Sequence, residues 1–568
     1  MEEQPDSPDV AGSKDPVRIP VHRAVGLSST GVFLVALAIQ LLGYIPTHYF
    51  AQHVGLYTSG RDALGTFQWF LLLASSINMI GDLRIGSAYT FYVARGESPK
   101  LGTGTYFVLR VAMVATGGAV LWATAPILPY STEQYLGLFA LWMLLPVLWS
   151  VSTVYMQLYV AEGHSVQGQV PQLIESVVRT CALTFIALES FSLQPGQFTS
   201  IIPEVTYAYL LGAASSAAYS FPSVWRQTER FRTSVASRFF RFAWPLMGSL
   251  ILLYLSSTII QFIVVIQLPA SEYAVFLAAN GLRILALSIP AAVAVPLFPH
   301  LSGLHKRQDY ELIRQRTWAA LRYTALVVTP LVMAMVVYRE NVLNILYSGG
   351  YSAGATPLAI LALSAVPAAL TQIIGTALNS VGQQRLELYL TSLQVGVLIG
   401  ASLLFLEPVH LFGLDGLVAA SVAVLLSSVG ALGVNLYFME TRFGVRIQVR
   451  PIFTILGAAI GAFFIVGRFN DLLPVNRYYQ LIAGVLLGAL VYAVILAVVG
   501  ELSKADVRQI GGSVGLPHQV SNLLTRLCWR EETWPVNPLP ERGAPGLRPL
   551  EGDRADLAPL PPKTPPKG

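Results

Sequence analysis

The stretch WFLLLASSINMIGDLRIGSAYTFYVARG, residues 69–96, decides how this chain is read. It is long and apolar enough to cross a hydrocarbon core of about 30 Å as a helix, yet Asp82 and Arg84 sit inside it. A charge at the bilayer centre costs about 2.5–3.5 kcal/mol on insertion scales, so each of these side chains needs a partner or an aqueous cavity. They stand two positions apart, on roughly opposite sides of an α-helix. They cannot pair well with each other unless the helix is irregular near Gly81 and Gly86.

The rest of the chain repeats that apolar character. Of 568 residues, 54% are hydrophobic and 12% charged, and mean hydropathy is +0.58. Soluble domains carry roughly a quarter charged residues. Spans are expected at 27–51, 65–94, 104–127, 133–160, 169–189, 201–224, 239–266, 272–300, 317–338, 354–379, 386–407, 414–438, 451–467 and 478–500. The fold class is therefore an all-α polytopic membrane protein of about 14 transmembrane helices.

An even number of spans leaves both termini on one side. Loops after even-numbered spans carry Arg95 and Lys100; Arg226, Arg230, Arg232, Arg238 and Arg241; Lys306, Arg307, Arg314 and Arg316; Arg385; and Arg442, Arg446 and Arg450. Loops after odd-numbered spans hold only Arg61, Arg339, Arg468 and Arg477. The positive-inside rule makes both termini cytoplasmic in a plasma (inner) membrane. The net charge of +5 thus reports topology, and nucleic acid is not an expected partner.

Residues 1–26 read as a disordered cytoplasmic N-tail. Residues 501–568 read as a cytoplasmic tail, amphipathic around VSNLLTRLCW (520–529), then Pro-rich and disordered from Trp534. Cys181 and Cys528 are the only cysteines and form no disulfide framework. An internal repeat is suggested by YMQLYVAEGHSVQGQ (155–169) and IIGTALNSVGQQRLE (373–387), each closing a span on a small residue, a Gly and a short polar step. Matching Gly163 to Gly382 gives two six-helix bundles around a central cavity, 27–225 and 226–440, followed by two extra transmembrane helices at 441–500.

The segments LFPHLSGLHKRQDYELIRQRTWAALRY (297–323) and NVLNILYSGGYSAGATPLAILALSAVPAALTQIIGTALNSVGQQRLELYLTSLQ (341–394) resemble the polysaccharide and oligosaccharide-lipid flippases. That superfamily also holds multidrug exporters and the lipid II flippase. The resemblance rests on Pro299, on Gly350 and Tyr351, on PLAILAL and on NSVGQQ. It implies a cavity lined by the first, second, seventh and eighth spans, and a polyprenyl pyrophosphate oligosaccharide as cargo, translocated by alternating access for cell-surface glycan assembly.

Buried charge carries the reading further. Arg84 and Arg283, the latter without an acidic neighbour within four positions, are candidates to grip an anionic headgroup in that cavity. Gln261 and Asn280 join them as hydrogen-bonding groups for sugar, with Tyr89, Tyr92 and Trp244 as aromatic surfaces. Glu175 and Arg179, four apart, are expected to pair, and Asp82 or Glu175 to couple transport to a proton or cation. Arg110 and Arg322 lie within about two turns of span ends, where snorkelling explains them. No Walker-type segment, HExxH or other metal spacing is present, so neither cofactor nor metal is expected and the chain is not read as an enzyme. Glycan-assembly proteins are possible partners beside the bilayer itself. The alternatives are a multidrug-type exporter of the same fold, which wants an acidic cavity, and a polyprenyl-glycan polymerase or glycosyltransferase, which wants a large charged outer loop.

Overall fold

The computed structural model describes residues 35, 38–39, 41–94, 99–124, 126, 128–129, 136–162, 164–406, 415–443, 449–471, 477–504, 525 and 528. The N-tail, Gly163 of the repeat match and nearly all of the C-terminal tail lie outside these. Every regular element among the described residues is helical. Among these residues, eleven helices are long and apolar enough to cross a membrane.

The first expected span appears as helix α1 over residues 41–53. The second is α2 (Thr58–Asp82) and α3 (Ile85–Ala94). Then come α4 (Pro99–Thr124), α5 (Leu136–Ala161), a short turn α6 (Ser165–Gly168), α7 (Val170–Glu189) and α8 (Ile201–Arg226). The next helices are α9 (Thr233–Gln267), α10 (Ala270–Lys306), α11 (Tyr310–Val337) and the short α12 (Arg339–Leu346). The chain continues through α13 (Ala355–Ser380), α14 (Gln384–Leu406), α15 (Gly416–Phe443), α16 (Val449–Asp471) and α17 (Arg477–Val499).

Local chemistry explains several boundaries. Asp309 caps α11 by accepting the Leu312 N–H at 3.1 Å, so the polar HKRQD turn ends one helix and starts another. Gly382 ends α13 at φ 79°, a conformation glycine adopts without a Cβ penalty, while the Gln383 N–H returns to the Leu378 carbonyl at 3.0 Å. That geometry is why NSVGQQ reads as a reversal between spans.

Lipid tails are as apolar as leucine, so helices here associate by close packing rather than by leaving water. Small residues permit it. On α13, Ala362, Ala365 and Ala369 are buried, and on α10 so are Ala274, Ala278, Ala279 and Ala286; α13 packs most extensively on α10, α15 and α11. In the N-terminal half α5 packs on α8, and α7 on α8. Helices α16 and α17 pair with each other and lean on α11, leaving Phe453, Phe464, Tyr479 and Leu486 exposed toward lipid.

The halves touch at both ends. On the side of the α1–α2 turn, Gln52 donates to the Asn344 and Ile345 carbonyls, His48 donates to that of Leu346, and the Ser271 N–H reaches Asp62 at 2.9 Å. Gly65 lies so close to the Ala270 carbonyl that no Cβ fits there. At the opposite end α3 and α4 meet α9: Phe91 packs on Phe242, Tyr92 stacks on Phe239, and the Arg232 N–H reaches Thr105 Oγ1 at 3.2 Å.

Candidate functional site

Between these two seals lies a cavity of about 290 Å³. Its walls come from α1, α2, α7, α8, α9 and α10 and from the turn after α12. The family resemblance implied a cavity on the first, second, seventh and eighth spans; the fifth and sixth also border it, through Leu183, Val205 and Tyr209. Its polar surface is neutral: Thr47 and Gln68 from the first two spans, Gln261 from α9, Asn280 from α10, and the hydroxyl-bearing rings of Tyr209 and Tyr347. No carboxylate or guanidinium is among the described residues lining it. The surface can donate and accept hydrogen bonds and offer aromatic faces without imposing a charge.

Gln261 and Asn280 both line this cavity. Arg283 stands directly behind: its Nε donates to Ser364 Oγ at 2.8 Å and its Nη1 reaches Asn280 Oδ1 at 3.5 Å. With Oδ1 engaged by the guanidinium, the amide of Asn280 is left to present its N–H groups to the cavity. Arg283 therefore acts on the wall through Asn280 rather than forming it.

Arg84 departs further from expectation. The second span is not one continuous helix: α2 stops at Asp82, and Leu83 and Arg84 adopt left-handed φ values of 34° and 65° before α3 begins. Asp82 is already about 21 Å along α2 from Gln68 at 1.5 Å per residue, so Arg84 lies well away from this cavity, toward the α3–α9 seal. Its buried Nε has no partner among the described residues. The irregularity was the stated condition for Asp82 and Arg84 to meet, but Asp82 pairs elsewhere.

Its partner is Arg110, whose Nη1 lies 3.0 Å from Asp82 Oδ1 while the Tyr106 hydroxyl donates to the same oxygen at 2.8 Å. Arg110 also donates to Asn78 Oδ1 at 2.6 Å and Thr153 Oγ1 at 3.2 Å, and only 1% of it is exposed. Snorkelling is thus the wrong account of Arg110. Its stem turns inward because three acceptors on α2 and α5 wait there. Arg322 is also buried, donating to the Glu501 carbonyl so that the chain after α17 is fastened to α11.

Glu175 and Arg179 pair as the spacing required, at 3.0 Å. Trp149 Nε1 donates to the same Glu175 oxygen at 3.0 Å, and the guanidinium sits 4.8 Å from the Tyr209 ring centroid. Tyr209 lines the cavity, so this pair backs the N-terminal wall as Arg283 backs the C-terminal one. The aromatic candidates do not gather there. Tyr89 is buried against Tyr106 and Phe239 and bonded to Thr103; Tyr92 lies beneath Arg238; Trp244 is 76% exposed. Of the wall residues that sequence reasoning missed, Gln68 and Tyr209 are single polar positions in apolar helices and Tyr347 lies in the turn after α12, with no charge to draw attention to any of them.

A sequence profile described as polysaccharide biosynthesis protein matches residues 93–356. The probable low-salt glycan biosynthesis flippase Agl15 of Haloferax volcanii is 20% identical over 470 residues, 82% of this chain and 94% of that protein. The lipid II flippase MurJ, in an inward closed conformation, superposes with a TM-score of 0.67 at 11% identity, covering 82% of this chain and 98% of that one. The chain has the fold of the multidrug, oligosaccharidyl-lipid and polysaccharide flippase superfamily. An inward-facing multidrug resistance transporter of the same superfamily matches with a TM-score of 0.57 at 13% identity, over 72% of this chain and 98% of that one. These matches agree with the resemblance read from residues 297–394, and the described residues have the helical, polytopic architecture it implies.

Proposed function

We propose that this protein is a flippase for a lipid-linked glycan, translocating a polyprenyl pyrophosphate oligosaccharide across the plasma membrane by alternating access, with both termini cytoplasmic. The observation that carries the reading is the neutral, amide- and tyrosine-lined cavity held between two halves that close on each other at both ends. Such a surface suits sugar hydroxyls and ring faces. It does not suit the cationic drugs of a multidrug exporter, which call for a carboxylate. The polysaccharide profile and the glycan flippase from Haloferax volcanii support the same choice of cargo.

In this mechanism the headgroup crosses through the cavity while the prenyl tail stays in lipid. Arg84 near the α3–α9 seal and Arg283 behind Asn280 form two stations for the pyrophosphate, reached when side chains rearrange as the halves rock. Asp82 and Glu175 are each held by an arginine, so a proton that drives the cycle must displace Arg110 or Arg179 from its partner.

Purified protein in proteoliposomes, given a fluorescent polyprenyl pyrophosphate oligosaccharide, tests this. Wild type is expected to transport it, with Asn280→Ala, Gln261→Ala and Arg283→Ala each slowing transport about tenfold, the equivalent of one lost hydrogen bond or charge-assisted bond. Transport unaffected by all three variants would move the site elsewhere. No transport of any such lipid by wild type would reject the cargo.

A further inference from the structure

We propose a second binding site, for the phosphate of a lipid in the outer leaflet, where the ends of α11, α12 and α16 meet. A cavity of about 420 Å³ opens there, separate from the central one, with Arg339 and Arg468 in its wall beside Tyr338, Asn341 and Phe464.

The sequence makes this pairing unusual. Outward loops are almost stripped of basic residues, leaving Arg61, Arg339, Arg468 and Arg477. Arg61 is spent on local structure, donating to the Gly55 and Leu56 carbonyls and to Thr58. Arg339 and Arg468 come from distant segments and converge on one pocket. They do so because α16 approaches α11 closely at Gly467, where a Cβ would lie 2.7 Å from Val337 Cγ1.

Neither arginine has an ion pair among the described residues, and the buried Nε of Arg339 has no hydrogen-bond partner there. Glu340 also lines the pocket, but it is exposed and bridges to neither. A buried guanidinium N–H left unpartnered costs free energy, and two forked donors in one pocket match the oxygens of a phosphate. The first turn of α12, whose cap residue Tyr338 makes no side-chain bond to it, adds backbone N–H groups at Arg339, Glu340 and Asn341.

The surroundings favour a lipid over a free ion. The pocket lies where two membrane helices, α11 and α16, end beside the short α12, and Phe464 and Ile465, on the adjoining face of α16, are 55% and 53% exposed. A phosphate held by the arginines would let its tail run along that apolar face. The outward placement rests on the orientation proposed above; the binding does not require the flippase reading.

The test uses the full chain in detergent and native mass spectrometry, with phosphatidylglycerol, a phosphate-free galactosyl diacylglycerol and inorganic pyrophosphate as probes. Wild type is expected to retain phosphatidylglycerol, with Arg468→Gln weakening retention about tenfold and Arg339→Gln with Arg468→Gln abolishing it. Arg468 is exposed, so the single variant reports on binding in a folded protein. Equal retention by the variants, or equal retention of the phosphate-free lipid, would overturn the site. Inorganic pyrophosphate competing away the lipid agrees with a phosphate subsite. Pyrophosphate bound by wild type with no phosphatidylglycerol retained would overturn the lipid assignment.

Discussion

Replacing Asp82 by Asn should expose how the N-terminal half tolerates a charge inside its helices. Arg110 is 99% buried and its carboxylate partner among the described residues is Asp82, at 3.0 Å; Asn78 and Thr153 offer it neutral oxygens. Removing one member of such a pair and leaving the other buried costs about 3–5 kcal/mol. The reverse change is milder. In Arg110→Gln the carboxylate that remains is 26% exposed and keeps the Tyr106 hydroxyl, so a loss of about 1–3 kcal/mol is expected. The double variant leaves two neutral, hydrogen-bonding side chains and should be destabilised by at least about 2 kcal/mol less than the sum of the singles. Unfolding by added denaturing detergent in mixed micelles, followed by tryptophan fluorescence, measures all three. Costs that add to within about 0.5 kcal/mol would refute the pairing as the reason Asp82 is tolerated.

Other perturbations reach the seals and the proposed coupling. Gly65→Ala drives a Cβ into the backbone of Ala270, which cannot swing aside, so the N-terminal ends of α2 and α10 should part; a cysteine placed at Thr47 should then react faster with an impermeant maleimide, and unchanged labelling counts against that seal. Arg322→Ala removes the bond to the Glu501 carbonyl and should speed limited proteolysis just after α17, whereas an unaltered cleavage rate would mean that the other contacts of this segment, the packing of Leu502 among them, hold it. Asp82→Asn and Glu175→Gln should each flatten the response of transport to an imposed pH gradient. Full retention of that response in both would end the idea of coupling through these carboxylates.

Helices were legible wherever apolar length alone decides the structure, and the expected spans overlie the described helices closely. The pair at Glu175 and Arg179 was also legible, because a spacing of four fixes a shared face. What misled was the treatment of single arginines by their distance from a span end. Arg110 and Arg322 are near ends yet buried, since their acceptors sit on other helices that local sequence cannot place. The break at Leu83 and Arg84 carried no proline, and the nearby glycines are not the residues that bend: Gly81 lies inside α2, where Val114 packs against it. Cavity walls were legible only where an amide interrupts an apolar run, as at Gln261 and Asn280. Whether such a residue faces a cavity or a neighbouring helix depends on rotation about the helix axis, which tertiary packing sets.

The two left-handed residues that divide the second span make it a loaded spring. A non-glycine residue in that conformation costs about 1–2 kcal/mol, so Leu83 and Arg84 together hold roughly 2–4 kcal/mol while the Asp82 network restrains one arm and the α3–α9 aromatic contacts restrain the other. Relaxing both into a continuous helix would return that energy whenever the α3–α9 contacts let go. At 1.4 kcal/mol per factor of ten, this is enough to shift a two-state equilibrium by tens- to several-hundredfold.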